Sequence, residues 1–392
     1  MGMAEPTHWE ELLAEDLDFV VVAPTYPRAW RHGGEFIRSR VHAYVAAGLR
    51  GAVIDTSGKG SRVLRARDSA TEIFVTHTDD LPSALDVLQR RGVPVLAHSP
   101  SPTVSGMLTE RLPGLRLIVW YHGYEVRDYR RLAGNFTTAE LALRRATLDE
   151  LNRVRFDAAR SLFSCGDAAI VFVSEMQRQN SQWDVGAEAV NSHVIPNHID
   201  TAHFRARERQ PHEANRILLM RSFEQRNYGN DIAINAIGLL KARPGFFDLQ
   251  FTVRGFGRLF QRKVAPLHGL PNVTVENRYS SPSEMAALHY DHGIFLCPSR
   301  YDTQGVMLGE AMASGMVTIT NPVAAIPEYT DATCSLLPRP DDPRAFAEAI
   351  WYLVEHPEVL PELSRNAAAR VERQCGVEAT INRELDLIRT FT

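Results

Sequence analysis

Short apolar, β-branched runs that alternate with helical segments constrain the fold of this chain more than any other feature. Phe19–Ala23 (FVVVA) is the first such run, and others follow at residues 52–55, 73–76, 93–97 and 115–121. Runs this apolar are typical of parallel strands that lie buried between two layers of helices. Repeated strand–helix units of this kind predict an α/β fold with a doubly wound parallel sheet.

The alternation starts again in the second half of the chain. Arg216–Met220 (RILLM) opens it, and residues 249–254 form the next apolar run. The polar stretch around residues 197–214 separates the two halves and is interpreted as a connector. A chain of 392 residues is long enough for two or three domains. We therefore predict a first domain over residues 1–198 and a second over residues 199–375.

Composition and charge narrow the class of protein. With 44% apolar and 23% charged residues the chain is typical of a soluble globular protein, and its net charge of −4 provides no overall basic field for nucleic acid. Its four cysteines form no CxxC pair, as expected for reduced thiols of a cytosolic protein. Residues 1–17 lack a signal-peptide pattern, and no apolar run approaches the ~20 residues of a membrane helix. We expect a cytoplasmic protein.

Residues 296–328, LCPSRYDTQGVMLGEAMASGMVTITNPVAAIPE, hold the strongest functional pattern. The apolar strand Ile294–Cys297 leads into a polar loop and then into a small-residue helix. Ligands of open parallel sheets bind beyond the carboxyl ends of the strands, so the polar side chains of this loop lie where a ligand is recognised. The carboxylates of Asp302 and Glu310 can contact different parts of a hydroxylated ligand, while backbone N–H groups of residues 305–307 face an anion.

This stretch resembles the nucleotide-sugar site of the retaining glycosyltransferases of family 4, whose signature is Glu-x7-Glu. Asp302 and Glu310 keep the spacing of the two acids, and three motifs keep the surrounding sequence: Pro298-Ser299-Arg300, Glu310-Ala311-Met312-Ala313-Ser314-Gly315 and Ile326-Pro327-Glu328. The first acid is Asp rather than Glu, and Thr303-Gln304 stands where the family has Gly-Phe. Because the shorter carboxylate reaches one methylene less far, these departures bear on which donor sugar is bound.

The resemblance implies the GT-B fold, in which two Rossmann-like domains with doubly wound parallel sheets face each other across a cleft. Residues 196–200 (PNHID) are similar to the family's Pro-Asn-Gly-Ile-Asp, which marks the passage between the domains. The family also sends a C-terminal helix back to the first domain, a role that falls here to residues 376–392. The first domain would bind the acceptor, and the second the nucleotide sugar.

Two arginines follow the strand Arg216–Met220 at a spacing of five. The guanidinium groups of Arg221 and Arg226 suit phosphate oxygens, and together they can clamp a diphosphate. Family 4 has an Arg and a Lys at this spacing, which hold the nucleotide diphosphate. The resemblance therefore gives this role to Arg221, with Arg226 in place of the lysine.

Two polar turns of the first half are further candidates. His122 follows a buried strand and is either structural or, as the family's histidine at this place implies, faces the donor sugar, where it would bond a sugar hydroxyl or the acceptor hydroxyl. The pair Gly33-Gly34 either makes a tight turn or, by the resemblance, lets the backbone approach the donor. Arg28 and Arg31 beside it either hold an anionic acceptor or are ordinary surface arginines.

The resemblance assigns a complete candidate site. Its catalytic residues would be His122, Asp302, Arg221 and Arg226, and its donor-binding residues Gly33, Gly34, Gly255, Arg278, Thr303, Gln304, Gly305, Val306, Met307 and Glu310. Glu310 would accept hydrogen bonds from ribose hydroxyls, and Asp302 from hydroxyls of the donor sugar. The Gly-x-Gly at Gly255 lacks the third glycine of a dinucleotide fingerprint, which argues against a dehydrogenase.

An arginine-rich stretch, residues 127–163, is either a solvated helix face or a basic surface for anionic lipid or a phosphorylated acceptor. The arginines of that surface would be Arg127, Arg130, Arg131, Arg144 and Arg145. The second interpretation would place the protein peripherally on the inner face of the membrane.

Taken with the resemblance, these patterns predict a retaining glycosyltransferase that moves a sugar from a nucleoside diphosphate sugar to a hydroxyl acceptor, in cell-surface polysaccharide or glycolipid biosynthesis. No cluster of His, Cys and carboxylates has metal-ligand spacing, so we expect neither a metal nor a cofactor. The alternatives are a natural-product glycosyltransferase, a nucleotide-sugar epimerase of the GT-B fold and a non-catalytic nucleotide-sugar-binding protein.

Overall fold

The computed structural model describes residues 8–14, 16–28, 33–59 and 63–391. The chain divides into two compact units. The first consists of Met1–Asp128, Arg145–His198 and Glu378–Thr392, and the second of Tyr129–Arg144 and Ile199–Val377. Residues 129–144, which the sequence places in the first domain, are thus grouped with the second unit.

An eight-stranded sheet forms the centre of the first unit, in the order β3-β4-β2-β1-β5-β6-β7-β8. Its strands are β1 (Phe19–Ala23), β2 (Gly51–Asp55), β3 (Leu64–Asp68), β4 (Thr71–Val75), β5 (Val95–His98), β6 (Leu117–Tyr121), β7 (Ala168–Phe172) and β8 (Ser192–Val194). All neighbours are parallel except the edge pair β3 and β4, which is antiparallel. In the centre, Val20 of β1 pairs with Ala52 on one side and Val95 on the other.

Helices cover both faces of this sheet, since buried apolar residues form a core on each side of it. They are α1 (Trp9–Leu12), α2 (Glu35–Ala46), α3 (Leu81–Arg91), α4 (Pro102–Thr109), α5 (Thr138–Phe163), whose first residues belong to the second unit, α6 (Glu175–Val185) and α14 (Arg383–Arg389). A π-helical turn, Glu378–Asn382, precedes α14. The sequence predicts one continuous helix there.

A buried ion pair attaches α14 to α2. Arg40 Nε donates to Glu384 Oε1 at 2.8 Å, and both side chains are fully buried. Tyr44 Oη donates to the other carboxylate oxygen of Glu384 at 2.5 Å, and Arg40 Nη1 donates to Asn197 Oδ1 at 3.0 Å. Because removing one partner of a buried pair leaves an unpaired charge, this cluster fixes the C-terminal segment to the first unit.

The second unit contains a six-stranded, all-parallel sheet in the order β11-β10-β9-β12-β13-β14. Its strands are β9 (Arg216–Met220), β10 (Gln250–Gly255), β11 (Val273–Asn277), β12 (Ile294–Cys297), β13 (Val317–Thr320) and β14 (Ser335–Leu336). Its helices are α7 (Asn230–Leu240), α8 (Phe260–Val264), α9 (Pro282–Asp291), α10 (Val306–Ala313), α11 (Ile326–Tyr329), α12 (Pro343–Glu355) and α13 (Leu360–Cys375). The predicted fold class, α/β with doubly wound parallel sheets, is confirmed in both units.

Candidate functional site

The carboxyl ends of β9 and β12 lie side by side and carry the first two candidate residues. The strands pair in register at Leu218 and Phe295, so the residues that follow them meet at the same edge of the sheet. Arg221 follows β9, and Asp302 lies in the loop after β12. The structure brings their side chains together, with Arg221 Nη2 3.4 Å from Asp302 Oδ2.

Arg221 is a buried cation with only 2% of its side chain exposed. Its Nη1 donates to Cys297 Sγ at 2.9 Å and its Nη2 to Ser299 Oγ at 3.3 Å. Burial lowers the pKa of Arg221, but Cys297 and Asp302 outweigh this effect, and the pKa lies above its ordinary value. The edge of the sheet therefore holds a permanent positive charge of the kind that suits a phosphate.

Asp302 also fixes the start of helix α10. Its Oδ1 accepts hydrogen bonds from the backbone N–H groups of Gly305 at 2.9 Å and Gln304 at 3.3 Å. Gly305 has a φ of 82°, which glycine adopts without strain. The N–H of Gly305, one of the predicted anion-binding groups, is thus already hydrogen-bonded to the Asp302 carboxylate. Those of Val306 and Met307 belong to the first turn, whose N–H groups have no acceptor within the helix.

The remaining candidates of this loop surround the same turn. Gln304, which stands where family 4 has Phe, is 3% exposed, and its Nε2 lies 3.6 Å from Cys375 Sγ. Thr303 is half-buried in the loop, and Glu310 is half-buried on α10. The loop therefore directs Gln304 into the protein and leaves both acids of the signature, Asp302 and Glu310, partly exposed.

Arg226 has a separate set of partners. Its Nη1 donates to the backbone carbonyl of Asn135 at 2.6 Å and to Glu140 Oε2 at 2.9 Å. Hydrogen bonding with Arg226 lowers the pKa of Glu140 to about 2. Like Arg221, this second predicted phosphate ligand is therefore already paired with a carboxylate.

Gly255 and Arg278 lie at the ends of β10 and β11. A Cβ on Gly255 would lie 2.1 Å from the backbone carbonyl oxygen of Arg221, and Gly257 has a φ of 133°. The packing of the chain thus requires glycine at both positions, whatever ligand is bound. Arg278 is exposed and forms an ion pair with Glu284 in the first turn of α9, and this hydrogen bond raises the pKa of Arg278.

In the first unit, His122 follows β6 and His98 ends the neighbouring strand β5. His98 Nδ1 and His122 Nε2 lie 3.0 Å apart, and the two rings are nearly parallel, at 15°. His98 is 1% exposed, and burial lowers the pKa of both histidines well below the ordinary value, so both rings are neutral. His98 was not among the sequence-predicted residues, although its place at the end of a strand beside β6 was a usable signal.

The glycine pair begins helix α2. Gly33 and Gly34 have φ values of 106° and 83°, and a Cβ on Gly34 would lie 3.2 Å from a backbone carbonyl oxygen. The turn itself therefore requires glycine, and a contact with the donor stays a prediction. Arg28 Nη2 lies 3.1 Å from Oδ2 of the buried Asp55, so this arginine has an ion-pair partner. Arg31 lies outside the described residues.

The arginines of the predicted basic surface lie between Arg127 and Arg145, in the segment before helix α5 and in its first turns. The guanidinium of Arg144 lies 5.5 Å from the ring centre of Phe136, and Arg145 lies 3.9 Å from Asp149. Binding of lipid by this surface stays a prediction. Within the described part of the chain, no helix is both long and apolar enough to cross a membrane. The same residues include no group of three His, Cys, Asp or Glu side chains that could hold a metal ion.

Part of the second unit matches a known protein family. Residues 214–356 match the family model of glycosyl transferases group 1. The chain is 25% identical over 203 residues to an MMP alpha-(1->4)-mannosyltransferase of Mycolicibacterium hassiacum. That match covers 51% of this chain and 49% of the relative, so the chain matches about half the length of that protein.

Solved structures resemble nearly the whole chain. Sucrose-phosphate synthase from Thermosynechococcus elongatus superposes with a TM-score of 0.71 at 16% identity, over 95% of this chain and 98% of that one. The Anabaena protein HepE, solved in complex with UDP-glucose, superposes with a TM-score of 0.65 at 15% identity, over 95% of this chain and 99% of that one. These likenesses confirm the predicted GT-B fold.

Proposed function

Because the chain has the GT-B fold and residues 214–356 match the glycosyl transferases group 1 family, we propose that the protein is a retaining glycosyltransferase that moves a sugar from a nucleoside diphosphate sugar to a hydroxyl acceptor. The pairing of the buried Arg221 with Asp302 at the start of α10, inside the matched region, is the observation that carries this proposal. It brings a permanent cation and a carboxylate together beside the first turn of α10, whose N–H groups have no acceptor within the helix.

These groups would act on the charge of the leaving diphosphate. As the bond between sugar and phosphate breaks, negative charge grows on the phosphate oxygens, where preorganised positive groups stabilise it most. Arg221 and the first-turn N–H groups of Val306 and Met307 would supply that stabilisation. Arg226 would join them when a phosphate displaces Glu140 from its guanidinium. In this scheme the positive groups of the chain balance the charge, so no divalent ion is required.

Retention at the anomeric carbon would result from attack on the face that the diphosphate leaves. The acceptor hydroxyl forms the new bond to the anomeric carbon as the bond to phosphate breaks, and an oxygen of the leaving phosphate accepts the hydroxyl proton. Asp302 would hold hydroxyls of the donor sugar, and Glu310 those of the ribose. His122 would lie on the acceptor side, in the first unit.

The known relatives guide the choice of substrates. One matched protein is a mannosyltransferase and another was solved with UDP-glucose, which supports a hexose on a nucleoside diphosphate as the donor. We propose a cell-surface glycan or glycolipid as the acceptor. Reaction on a glycolipid would take place at the cytoplasmic face of the membrane, with the exposed arginines of residues 129–145 against anionic lipid.

Ligand-induced thermal stabilisation tests the donor half of the proposal. The full chain is melted with UDP, GDP, ADP and their hexoses, each with magnesium and with EDTA. A ligand at 100 times its Kd adds about 2.7 kcal/mol to the free energy of unfolding, which is a readable shift. We expect one nucleotide sugar to stabilise the protein equally in both buffers. Arg221→Met should abolish the shift, whereas Arg243→Met, at an exposed ion pair with Glu348, should retain it.

Product analysis tests the reaction itself. The stabilising donor is incubated with a panel of hydroxylated acceptors, and the anomeric configuration of the product is read from the one-bond carbon–proton NMR coupling at its anomeric carbon. We expect the configuration of the donor to be kept. An inverted product would overturn the retaining mechanism, and the absence of stabilisation by every nucleotide would overturn the proposed function as a whole.

A further inference from the structure

A small cavity of about 170 Å³ lies in the first unit, at the carboxyl ends of β1, β2 and β5. We call it the β1–β5 cavity. Its polar lining consists of hydroxyl groups and one imidazole, from Thr56, Thr78, Ser99, Ser101 and His98. None of the described residues that line it carries a charged side chain, and the remainder of the lining is apolar. None of the residues given a role in the proposed reaction lines this cavity.

His98 provides the imidazole of this lining. Its Nδ1 faces His122, and its ring stacks on Trp120 with the ring centres 4.7 Å apart. Its Nε2 is buried and has no hydrogen-bond partner among the described residues. A buried polar atom without a partner is costly, so a fully buried imidazole at a cavity wall is suited to a ligand hydroxyl that completes its hydrogen bonding.

His122 is not among the described residues that line the cavity. Its Nε2 faces His98, and its side chain also has Asn197 as a hydrogen-bonding partner. Its ring also packs against Phe36, with the ring centres 4.5 Å apart. Of the two histidines, His98 is therefore the one that lines the cavity, and His122 holds it in place.

The size and chemistry of the cavity define the class of ligand. An engineered protein cavity of about 150 Å³ holds a benzene molecule, so a six-membered ring fits a space of this volume. A phosphate or carboxylate would meet no cation among the lining residues. The N-terminus of α4 also has little to offer such an anion, because Ser101 Oγ already accepts a hydrogen bond from the N–H of Val104 at 3.3 Å. An uncharged ring that carries hydroxyl groups meets every requirement.

We propose that the β1–β5 cavity binds a pyranose ring of the acceptor, and that His98 Nε2 forms a hydrogen bond with one of its hydroxyl groups. This inference rests on the proposed function and adds the class of acceptor, a sugar. It also moves the substrate contact from His122, the sequence-predicted residue, to His98.

Binding of simple glycosides to the full chain tests the inference. The probes are methyl α-mannopyranoside and methyl α-glucopyranoside, with inorganic phosphate as the charged comparison, and binding is followed by NMR. His98→Asn keeps an amide near the Nδ1 position, toward His122, and removes Nε2. Thr78→Val removes a hydroxyl from the lining. Thr109→Val is the matched control, since its hydroxyl donates to the Ser105 carbonyl on α4, away from the cavity.

We expect at least one glycoside to bind, and His98→Asn to weaken it about five- to tenfold, the effect of one uncharged hydrogen bond. Thr78→Val should weaken it and Thr109→Val should leave it unchanged, with circular dichroism confirming that each variant is folded. His98→Gln, which restores an amide near Nε2, should bind more tightly than His98→Asn.

Three results would overturn the inference: no glycoside binds, phosphate binds in their place, or the His98 and Thr78 variants bind glycosides as tightly as the unmodified protein. The same protein samples are also melted in the presence of a nucleoside diphosphate. If it stabilises the protein while the glycosides fail to bind, only the acceptor inference falls. If it does not, the proposed function falls as well.

Discussion

Arg226 Nη1 lies 2.9 Å from Glu140 Oε2, so the guanidinium predicted to hold a diphosphate is paired with a carboxylate from residues 129–144. The same segment bonds to the next residue, since the backbone N–H of Asn227 donates to Asn135 Oδ1 at 2.6 Å. A phosphate oxygen and the Glu140 carboxylate offer the arginine the same kind of acceptor. Binding of a diphosphate at Arg226 must therefore compete with Glu140.

Replacing Glu140 by Gln should strengthen the binding of nucleoside diphosphates. Gln keeps the hydrogen bonds of the helix start at Thr137 but gives up the negative charge that competes for Arg226. We expect Kd to fall about two- to fivefold, the range for an exposed ion pair, as measured by titration calorimetry. Glu150→Gln, which breaks a pair with Arg153 on the same helix, is the control. Equal affinities in all three proteins would exclude Arg226 as a phosphate ligand.

Adding a methyl group at Gly255 should disrupt the site through the backbone. The Cβ of Gly255→Ala would lie 2.1 Å from the Arg221 carbonyl oxygen, and backbone atoms cannot move aside as a flexible side chain can. We expect a loss of about 3 kcal/mol in the free energy of unfolding, measured with urea. Gly238→Ala on α7 has nothing within 4 Å of its Cβ and should gain about 0.5–1 kcal/mol. Similar effects of the two substitutions would show that the close approach at Gly255 is relieved in solution.

The central strands could be predicted because their buried apolar residues follow one another directly in the sequence. The runs FVVVA and RILLM correspond to β1 and β9. The edge strand β3 (LRARD) could not, because most of its residues are exposed and its pairing with β4 is set by contact rather than by an apolar pattern. Helix caps are equally local: Asp342 directly precedes α12, and its Oδ1 accepts a hydrogen bond from the N–H of Arg344 at 2.9 Å.

The places of the candidate residues on the sheet could be predicted, but their ion pairs could not. Arg221 and Asp302 each follow a strand, and this fact alone brings them to one edge of the sheet. Asp302 pairs with Arg221, and Glu140 pairs with Arg226, which lies 86 residues later in the chain. Neither pairing leaves a periodic signal in the sequence. Such ion pairs depend on how distant segments pack. Single-residue patterns therefore identified the charged groups and missed what neutralises them.

Stability should fall as the pH drops below about 6.5, in part because of His289. This residue is fully buried, and burial, with Arg209 and His292 nearby, lowers its pKa to about 3. Between pH 6.5 and 3 the unfolded chain therefore binds a proton at His289 that the folded chain does not. Stability then decreases with acidity by about 1.4 kcal/mol per pH unit for this group.

The substitution His289→Asn should remove that dependence. Asn can still reach Ser314 Oγ, which lies 3.1 Å from His289 Nδ1, but it binds no proton in this range. Urea unfolding at pH 7, 6 and 5 should give a shallower decline for the variant than for the unmodified protein. Phe295→Leu, beside His289 in the core, should lower stability by the same amount at every pH. An unchanged slope in His289→Asn would mean that His289 is protonated in the folded protein.

Two substitutions of Asp302 separate its structural role from its charge. Asp302→Asn keeps an oxygen for the N–H of Gly305 but leaves the buried Arg221 without its carboxylate, so we expect a loss of about 3 kcal/mol in the free energy of unfolding. Asp302→Glu keeps the charge but misplaces the oxygen that accepts from the N–H groups of Gln304 and Gly305 before α10, which should cost about 1 kcal/mol.

The same two variants test why this chain has Asp where family 4 has Glu. If Asp302 holds the donor sugar, the longer carboxylate of Asp302→Glu should change which hexose of the stabilising nucleotide binds, whereas binding of the nucleoside diphosphate alone should stay within about twofold, since Arg221 keeps its partner. Melting each variant with the nucleotide and with its glucose, mannose and galactose derivatives separates these effects. An unchanged order of preference would leave Asp302 with its two structural contacts, to Arg221 and to α10, and would exclude it as the residue that selects the donor sugar.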